Sequence, residues 1–254
     1  MAGPSISVIV VTRDRPELLA DALASIAAQL PTPLEVRVAD DGEAPALLGG
    51  QGPPDLPLLE LTTLAVSCRQ PGAARNAAAR GARGDVLAFL DDDDRWRPGH
   101  LAGLASAFAD PRVGFAWRDS EVIRERLHAN GVRETLESAM LAADWDEGRM
   151  RTDDYLPPSA WGVRREVFED LGGFDESFAC SEDWDFVLRA ARATGLRRVP
   201  GVSVEVRLRE AGNASADFGP LRRACLDRLS ARHGLPHLEL RTFWDVARAR
   251  EPRG

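Results

Sequence analysis

Between Val86 and Leu90 the chain reads VLAFL and then meets four aspartates in a row, Asp91–Asp94. A short, wholly apolar run of this kind reads as a strand covered on both faces, as in a parallel sheet between helical layers. Four adjacent carboxylates repel one another and resist burial. The strand must therefore end at a rim of the core where the acids meet solvent or a neutralising partner. A divalent cation taken by oxygen ligands is one such partner; a solvated acidic loop is the plainer alternative. Trp96 and a Pro98-Gly99 turn follow, and then a predicted helix over 99–109.

Two earlier junctions repeat the pattern. Ile6–Val11 (ISVIVV) is a β-branched run that stops at Thr12-Arg13-Asp14-Arg15-Pro16. Asp14 is placed to cap a helix with Pro16 in its first turn, and Leu18, Leu19, Ala22, Leu23 and Ile26 recur at helical spacing over 17–29. A second strand, Leu34–Ala39, runs into Asp40-Asp41-Gly42. Strand, helix and strand within so short a span make a βαβ unit. Residues 43–57 are loop by their Gly and Pro content, 58–64 a third strand, and the alanine-rich stretch 72–83 a helix leading into Val86–Leu90. The expected fold is α/β, a doubly wound, mostly parallel sheet, whose ligands lie at the carboxyl ends of the strands. Three such ends deliver polar residues to one edge.

The second half is less regular. Val113–Trp117 reads as a strand, Glu121–Leu127 as strand or helix, and Glu134–Leu141 as weakly helical. Ser159–Val163 is a predicted strand, Arg165–Leu171 a helix, Asp183–Ala193 an amphipathic helix, Val199–Leu208 a last strand and Leu221–His233 a last helix. No repeat or linker divides the 254 residues, so one domain is expected.

A formal net charge of −8 argues against a nucleic-acid-binding surface, which is normally basic. All 32 cationic residues are arginine. Cys68, Cys180 and Cys225 are widely spaced, which suits free thiols in a reducing compartment, and neither a signal peptide nor a membrane-spanning run is expected. The expected setting is cytoplasmic. The terminal basic stretch Arg241–Arg253 hints at peripheral membrane association.

Five blocks in order, ISVIVVTRDRPELLADALASIAAQ, VRVADDG, GAARNAAARGARGDVLAFLDDDDRW, GVRREVFEDLGGFDESF and SEDWDFVLRA, make residues 4–215 resemble the inverting glycosyltransferases of family 2, with the GT-A fold. The resemblance implies transfer of a sugar from a nucleotide-diphosphate donor to an acceptor hydroxyl, with Mn²⁺ or Mg²⁺ as cofactor. It implies a catalytic domain over 1–215, with a nucleotide-sugar-binding half (1–98) and an acceptor-binding half (99–215), followed by a helical extension over 216–254.

Position by position, the resemblance puts Val11, Thr12 and Arg13 beside the base, with Arg13 where the family usually has an aromatic, and Arg15 near the diphosphate. Asp41 matches the residue that accepts the imide proton of uracil or thymine, which favours a UDP- or dTDP-sugar; an Asx-turn before Gly42 is the structural alternative. Arg75 matches a donor-site arginine, or is an exposed helix arginine. Asp91–Asp94 matches the family's metal-binding DXD motif: Asp93 is the expected metal ligand, with Asp91 or Asp92 meeting the ribose or reaching the metal through water. Relatives often add a histidine before a Gly-Asn element, whereas VEVRLREAGNAS carries Arg207, Arg209 and Glu210 and no histidine, so that Arg207 or Arg209 is expected to neutralise phosphate instead. Asp183, with Glu182 as runner-up, matches the general base that deprotonates the acceptor; acids there also suit a helix start. Trp184 is an acceptor platform or a packing residue. The acceptor, whether glycan, glycolipid or small molecule, stays open. A degenerate donor-binding relative or partner subunit is the alternative reading. A sugar-1-phosphate nucleotidyltransferase would want a Gly-rich phosphate loop with a lysine after the first strand, and TRDRPELL has neither.

Overall fold

The computed structural model describes residues 3–43, 60–128, 132–209 and 219–249. Four strands, β1 (Ile6–Thr12), β2 (Glu35–Asp40), β3 (Leu61–Ala65) and β4 (Val86–Asp91), form a parallel block in the order β3-β2-β1-β4. The sheet continues from β4 through β8 (Trp161–Arg164), β6 (Val113–Leu127) and β9 (Gly195–Arg209) to a two-residue strand, β5 (Arg95–Trp96), while β7 (Arg133–Leu141) pairs with β6. Helices α1 (Pro16–Ala27), α2 (Pro71–Ala79), α3 (His100–Phe108), α4 (Glu147–Met150), α5 (Arg165–Asp170), α6 (Glu182–Ala193), α7 (Gly219–His233) and α8 (Phe243–Arg248) complete the described chain. The expected α/β class and parallel first half hold.

Register brings the three acidic junctions level. Thr12 lies opposite Asp40 on one side of β1, and Val11 lies opposite Asp91 on the other. With strands about 4.8 Å apart, the ends of β2 and β4 stand roughly 10 Å from each other across β1.

Several expectations are corrected. Glu134–Leu141 is not helical: it is most of β7, antiparallel to β6 with a bulge between Arg124 and Glu125. Burial of Ala139 and Leu141 on alternate positions, and the ion pair of Arg133 with the buried Glu125 (2.6 Å), override a weak helical preference. Glu121–Leu127 is strand, continuous with Val113. Pro158–Ala160 forms a 3₁₀ turn before β8. Asp14 does not cap α1; it turns to a φ of 54°, and its Oδ1 accepts the Glu43 amide at 3.0 Å. Gly42 allows this approach, since a Cβ there would stand 2.6 Å from that Oδ1. The loop 44–57, Glu210, the Gly212-Asn213 element and Arg253 lie outside the described residues.

One apolar core holds the sheet and helices together, and Cys225, Leu226, Leu229, Leu238, Val246 and Ala247 of the C-terminal region join it. The fully buried Asp185 of α6 ties this region down through His233 Nε2 of α7 (2.8 Å), while Arg189 Nε donates to its other oxygen (2.8 Å). Beneath the acidic run, Phe89 packs against Trp161, Phe174 and Phe168 at centroid distances of 4.8, 5.4 and 5.8 Å. Phe89→Ala is expected to cost about 3–5 kcal/mol, read by urea unfolding. A loss under about 1 kcal/mol would show that this cluster does not carry the end of β4.

Candidate active site

The four aspartates form a turn closed by the Asp94 amide on the Asp91 carbonyl (3.1 Å), and they alternate in exposure. Asp92 and Asp94 are buried, whereas the side chains of Asp91 and Asp93 remain 27% and 23% exposed. Asp92 accepts Thr12 Oγ1 at 2.7 Å and Arg15 Nη1 at 3.2 Å. Asp94 accepts Ser159 Oγ at 2.5 Å and the Arg207 amide at 3.0 Å. Burial and the Asp93 charge push the Asp92 carboxyl up to about 7, against the pull of Arg15 and Thr12. Asp94 is held well above the usual carboxylate range by burial and by Asp93 and Asp91. Such groups cost free energy to ionise and are tolerable only because each is hydrogen-bonded. The inner pair anchors the turn and the outer pair faces outward.

Ser159 was not singled out from the sequence, yet it is the hub of this turn. Its Oγ also accepts the Asp91 amide (3.1 Å), and its carbonyl accepts Trp96 Nε1 (2.8 Å). Trp96 stacks on His100, 4.4 Å between centroids, and β5 pairs Trp96 with Val204. The end of β9 is thereby drawn beside the acids. Arg209 Nη2 reaches Asp93 Oδ2 at 3.0 Å, and Arg15 Nη1 reaches the same oxygen at 3.1 Å.

Arg75 is not an exposed helix arginine. It is buried, with Phe174 under its guanidinium at 5.6 Å. Nη2 donates to Asp91 Oδ1 at 2.6 Å and Nη1 to Glu182 Oε1 at 2.5 Å. Burial works against its charge, but Asp91 and Glu182 together hold its pKa above the ordinary arginine value. Gly72, one helical turn away, makes room: a Cβ there would stand 2.8 Å from Glu182 Cγ. Arg75 therefore joins the acidic turn to the start of α6. That helix begins after Ser181 in a left-handed conformation (φ 62°), uncommon for a non-glycine residue, and its first turn carries Glu182, Asp183 and Asp185. Burial lifts Glu182 to about 7 despite Arg75. Asp183 is half-buried and accepts the Trp184 amide at 2.9 Å; burial raises its pKa against the pull of Arg75. Asp154, also missed in the sequence, lies close enough to Asp183 that burial and that charge together raise its carboxyl well above the usual range. Trp184 is 5% exposed and its Nε1 donates to the Met150 carbonyl at 2.8 Å, which is the geometry of a packing residue.

On the other side, Val11 is half-buried and Arg13 exposed. Thr12 is buried against Asp92. The Asx-turn at Gly42 belongs to Asp40, whose Oδ1 accepts the Gly42 amide at 3.1 Å; Asp41 instead accepts the Cys68 amide at 2.6 Å. The two C-terminal arginines described within the basic stretch have partners: Arg241 pairs with Asp153 at 2.8 Å, and Arg248 lies 5.8 Å from the centroid of the Trp244 ring.

Among the described residues no group of three or more His, Cys, Asp or Glu could hold a metal ion on protein ligands alone. The donor set nevertheless suits Mg²⁺ or Mn²⁺ when a ligand's phosphates complete the shell, because these ions take one or two carboxylates there. Asp91 and Asp93 are partly exposed, and each pairs with arginine through one oxygen, Oδ1 of Asp91 and Oδ2 of Asp93. The other oxygens can serve a cation.

Residues 64–172 match the sequence model of the family described as Glycosyl transferase family 2. An uncharacterized glycosyltransferase of Bacillus subtilis, YwdF, is 34% identical over 94% of this chain and 87% of its own. The O-antigen biosynthesis protein RfbC of Myxococcus xanthus is 30% identical over 75% of this chain but only 15% of its own. Among solved structures, S. aureus TarS 1-349 superposes with a TM-score of 0.61 at 20% identity, covering 89% of this chain and 64% of that one. A mannosyltransferase from Pyrobaculum calidifontis in complex with GDP-Man and Mn²⁺ gives 0.59 at 22% identity, covering 91% and 64%. The chain thus spans less than two thirds of the length of these two structures. No described helix is long and apolar enough to cross a membrane. The match to YwdF over nearly the whole of both chains, on a fold shared with TarS, makes this chain a member of glycosyltransferase family 2 with the GT-A fold.

Proposed function

We propose that the protein transfers a sugar from a nucleotide-diphosphate donor to an acceptor hydroxyl with inversion at the anomeric carbon. The carrying observation is the bridge of Arg75 between Asp91 and Glu182, because it ties the acidic turn to the helix bearing Asp183. On this reading the nucleotide lies over the ends of β1 and β2, bordered by Val11, Thr12, Arg13 and Asp41, with Arg15 beside the diphosphate. Asp41 suits the N3–H of uracil or thymine, which favours UDP- or dTDP-sugars. Asp91 and Asp93 hold Mn²⁺ or Mg²⁺, which when bound neutralises the leaving diphosphate. Asp183 takes the acceptor proton as the hydroxyl attacks from the face opposite the leaving group. Its raised pKa favours that role, since a base works best with a pKa near the working pH. Residues 1–98 form the donor half, 99–215 the acceptor half, and 216–254 an extension packed against them.

Incubation with UDP-, dTDP- and GDP-sugars plus Mn²⁺ or Mg²⁺ is expected to release nucleoside diphosphate from one of them, faster once an acceptor hydroxyl is supplied. No release with any sugar nucleotide and either cation, across an acceptor panel, would overturn the reading. Asp93→Ala is expected to weaken cation-dependent donor binding about tenfold or more, the scale of losing a contact to a charged group. Unchanged affinity in calorimetry would remove Asp93 as a ligand.

A further inference from the structure

Asp93 Oδ2 accepts hydrogen bonds from two guanidinium groups at once, Arg15 Nη1 at 3.1 Å and Arg209 Nη2 at 3.0 Å. They arrive from opposite ends of the chain, Arg15 from the start of α1 and Arg209 from the last residue of β9. A carboxylate oxygen offers two lone pairs, and here both are taken. Nearby Arg207 is spoken for elsewhere: its guanidinium reaches Glu125 Oε2 at 3.2 Å and Glu205 Oε2 at 2.6 Å, while its amide pins Asp94. Of the two arginines at this strand end, Arg209 is therefore the one directed at the acidic turn. Its side chain is only 9% exposed, so its charge is poorly screened by water. Guanidinium groups match phosphate oxygens as well as carboxylates and bind both in the same forked geometry.

We propose that Arg209 is a donor-site residue, a clamp for the diphosphate that is held on Asp93 and passes to a phosphate oxygen when a divalent cation takes that carboxylate. This rests on the glycosyltransferase reading above and adds to it an arginine at the end of β9. Because both are positive and crowd one carboxylate, Arg209 and the cation then compete for the charge of Asp93 without nucleotide and act together on the diphosphate with it. The two effects of removing Arg209 have opposite signs, which loss of structure alone would not give. Arg15, sharing the same oxygen, has the same pair of effects; its replacement also takes a contact from Asp92, which keeps the hydrogen bond of Thr12.

The test is titration of Arg209→Gln and Arg15→Gln with Mn²⁺ alone, then with UDP against UMP and GDP against GMP in saturating Mn²⁺. Mn²⁺ alone is expected to bind each variant about threefold or more tighter, because a competing cation is gone. The diphosphate bound by the native protein is expected to weaken about tenfold or more, and its monophosphate less than about twofold. Mn²⁺ binding that is unchanged or weaker in both variants, or equal weakening of mono- and diphosphate, overturns the clamp. A native protein that binds diphosphate with Mn²⁺ while the variants match it refutes the clamp alone. A native protein that binds no nucleoside diphosphate removes the donor reading and the clamp together.

Discussion

Asp183→Asn is expected to lower sugar transfer by about 10²–10⁴-fold while leaving donor binding nearly unchanged. The substitution keeps the side chain's shape and the oxygen that accepts the Trp184 amide, so the start of α6 should survive. It removes only the capacity to take a proton. Donor affinity, measured by calorimetry with Mn²⁺, separates this from a folding defect, and near-native transfer would sink the assignment. The pH dependence follows the same group. A base must be deprotonated, so kcat/KM rises with pH through its pKa. Burial raises that pKa above that of an ordinary aspartate, so the acid limb should lie above the usual aspartate range and vanish in the variant. If the limb persists unchanged, it belongs to another carboxyl, and Glu182 or Asp154 becomes the candidate.

Arg75→Met is the second large effect, and it falls on stability as well as activity. It leaves Glu182 buried without its cation and Asp91 without the contact that turns it toward α6. Stripping one partner from a buried pair costs about 3–5 kcal/mol. The loss should depend on pH. Glu182 already titrates near 7 when folded, against 4.5 for an ordinary glutamate, and without Arg75 its folded pKa rises further. A group whose carboxyl is harder to ionise when folded loses stability as pH climbs from the unfolded pKa through the folded one. The deficit of Arg75→Met is therefore small near pH 4.5 and largest above about 7. Adding Glu182→Gln to Arg75→Met should recover part of it at neutral pH by removing the stranded charge. A deficit independent of pH and untouched by Glu182→Gln would mean that Arg75 acts through packing on Phe174 instead.

The parallel block was legible because VLAFL is wholly apolar and ISVIVV is broken only by Ser7, the pattern of a strand buried on both faces. In the second half β7 and the outer part of β6 were not legible, because these strands carry charge inside. Glu125 on β6 is buried and satisfied by Arg133 from β7 and Arg207 from β9, so polarity along these strands does not mark solvent. The site divides the same way. Asp91–Asp94 announced a cluster, but four identical residues carry no pattern from which to assign roles. The assignment comes from partners far away in sequence, Thr12, Ser159, Arg207 and Arg209, which the fold gathers around the turn. Arg75 sits in an alanine-rich helix that looks exposed until two acids, 16 and 107 residues away, close over it. Trp184 was ambiguous because an indole serves a sugar or a core equally well, and the Met150 carbonyl decides where its N–H goes.

Cation-dependent stabilisation by a sugar nucleotide tests the centre of this account, that Asp91 and Asp93 join a divalent cation to a nucleotide-diphosphate donor beside Asp183. Thermal unfolding is followed with a panel of nucleotide-sugars at about a hundred times their Kd, with Mn²⁺ or with chelator. One donor is expected to raise Tm by several degrees, since binding at that excess is worth about 2.7 kcal/mol, and to do so only with the cation and not in Asp91→Asn/Asp93→Asn. Equal stabilisation in chelator and in the double variant, or none from any nucleotide-sugar with Mn²⁺, would contradict it.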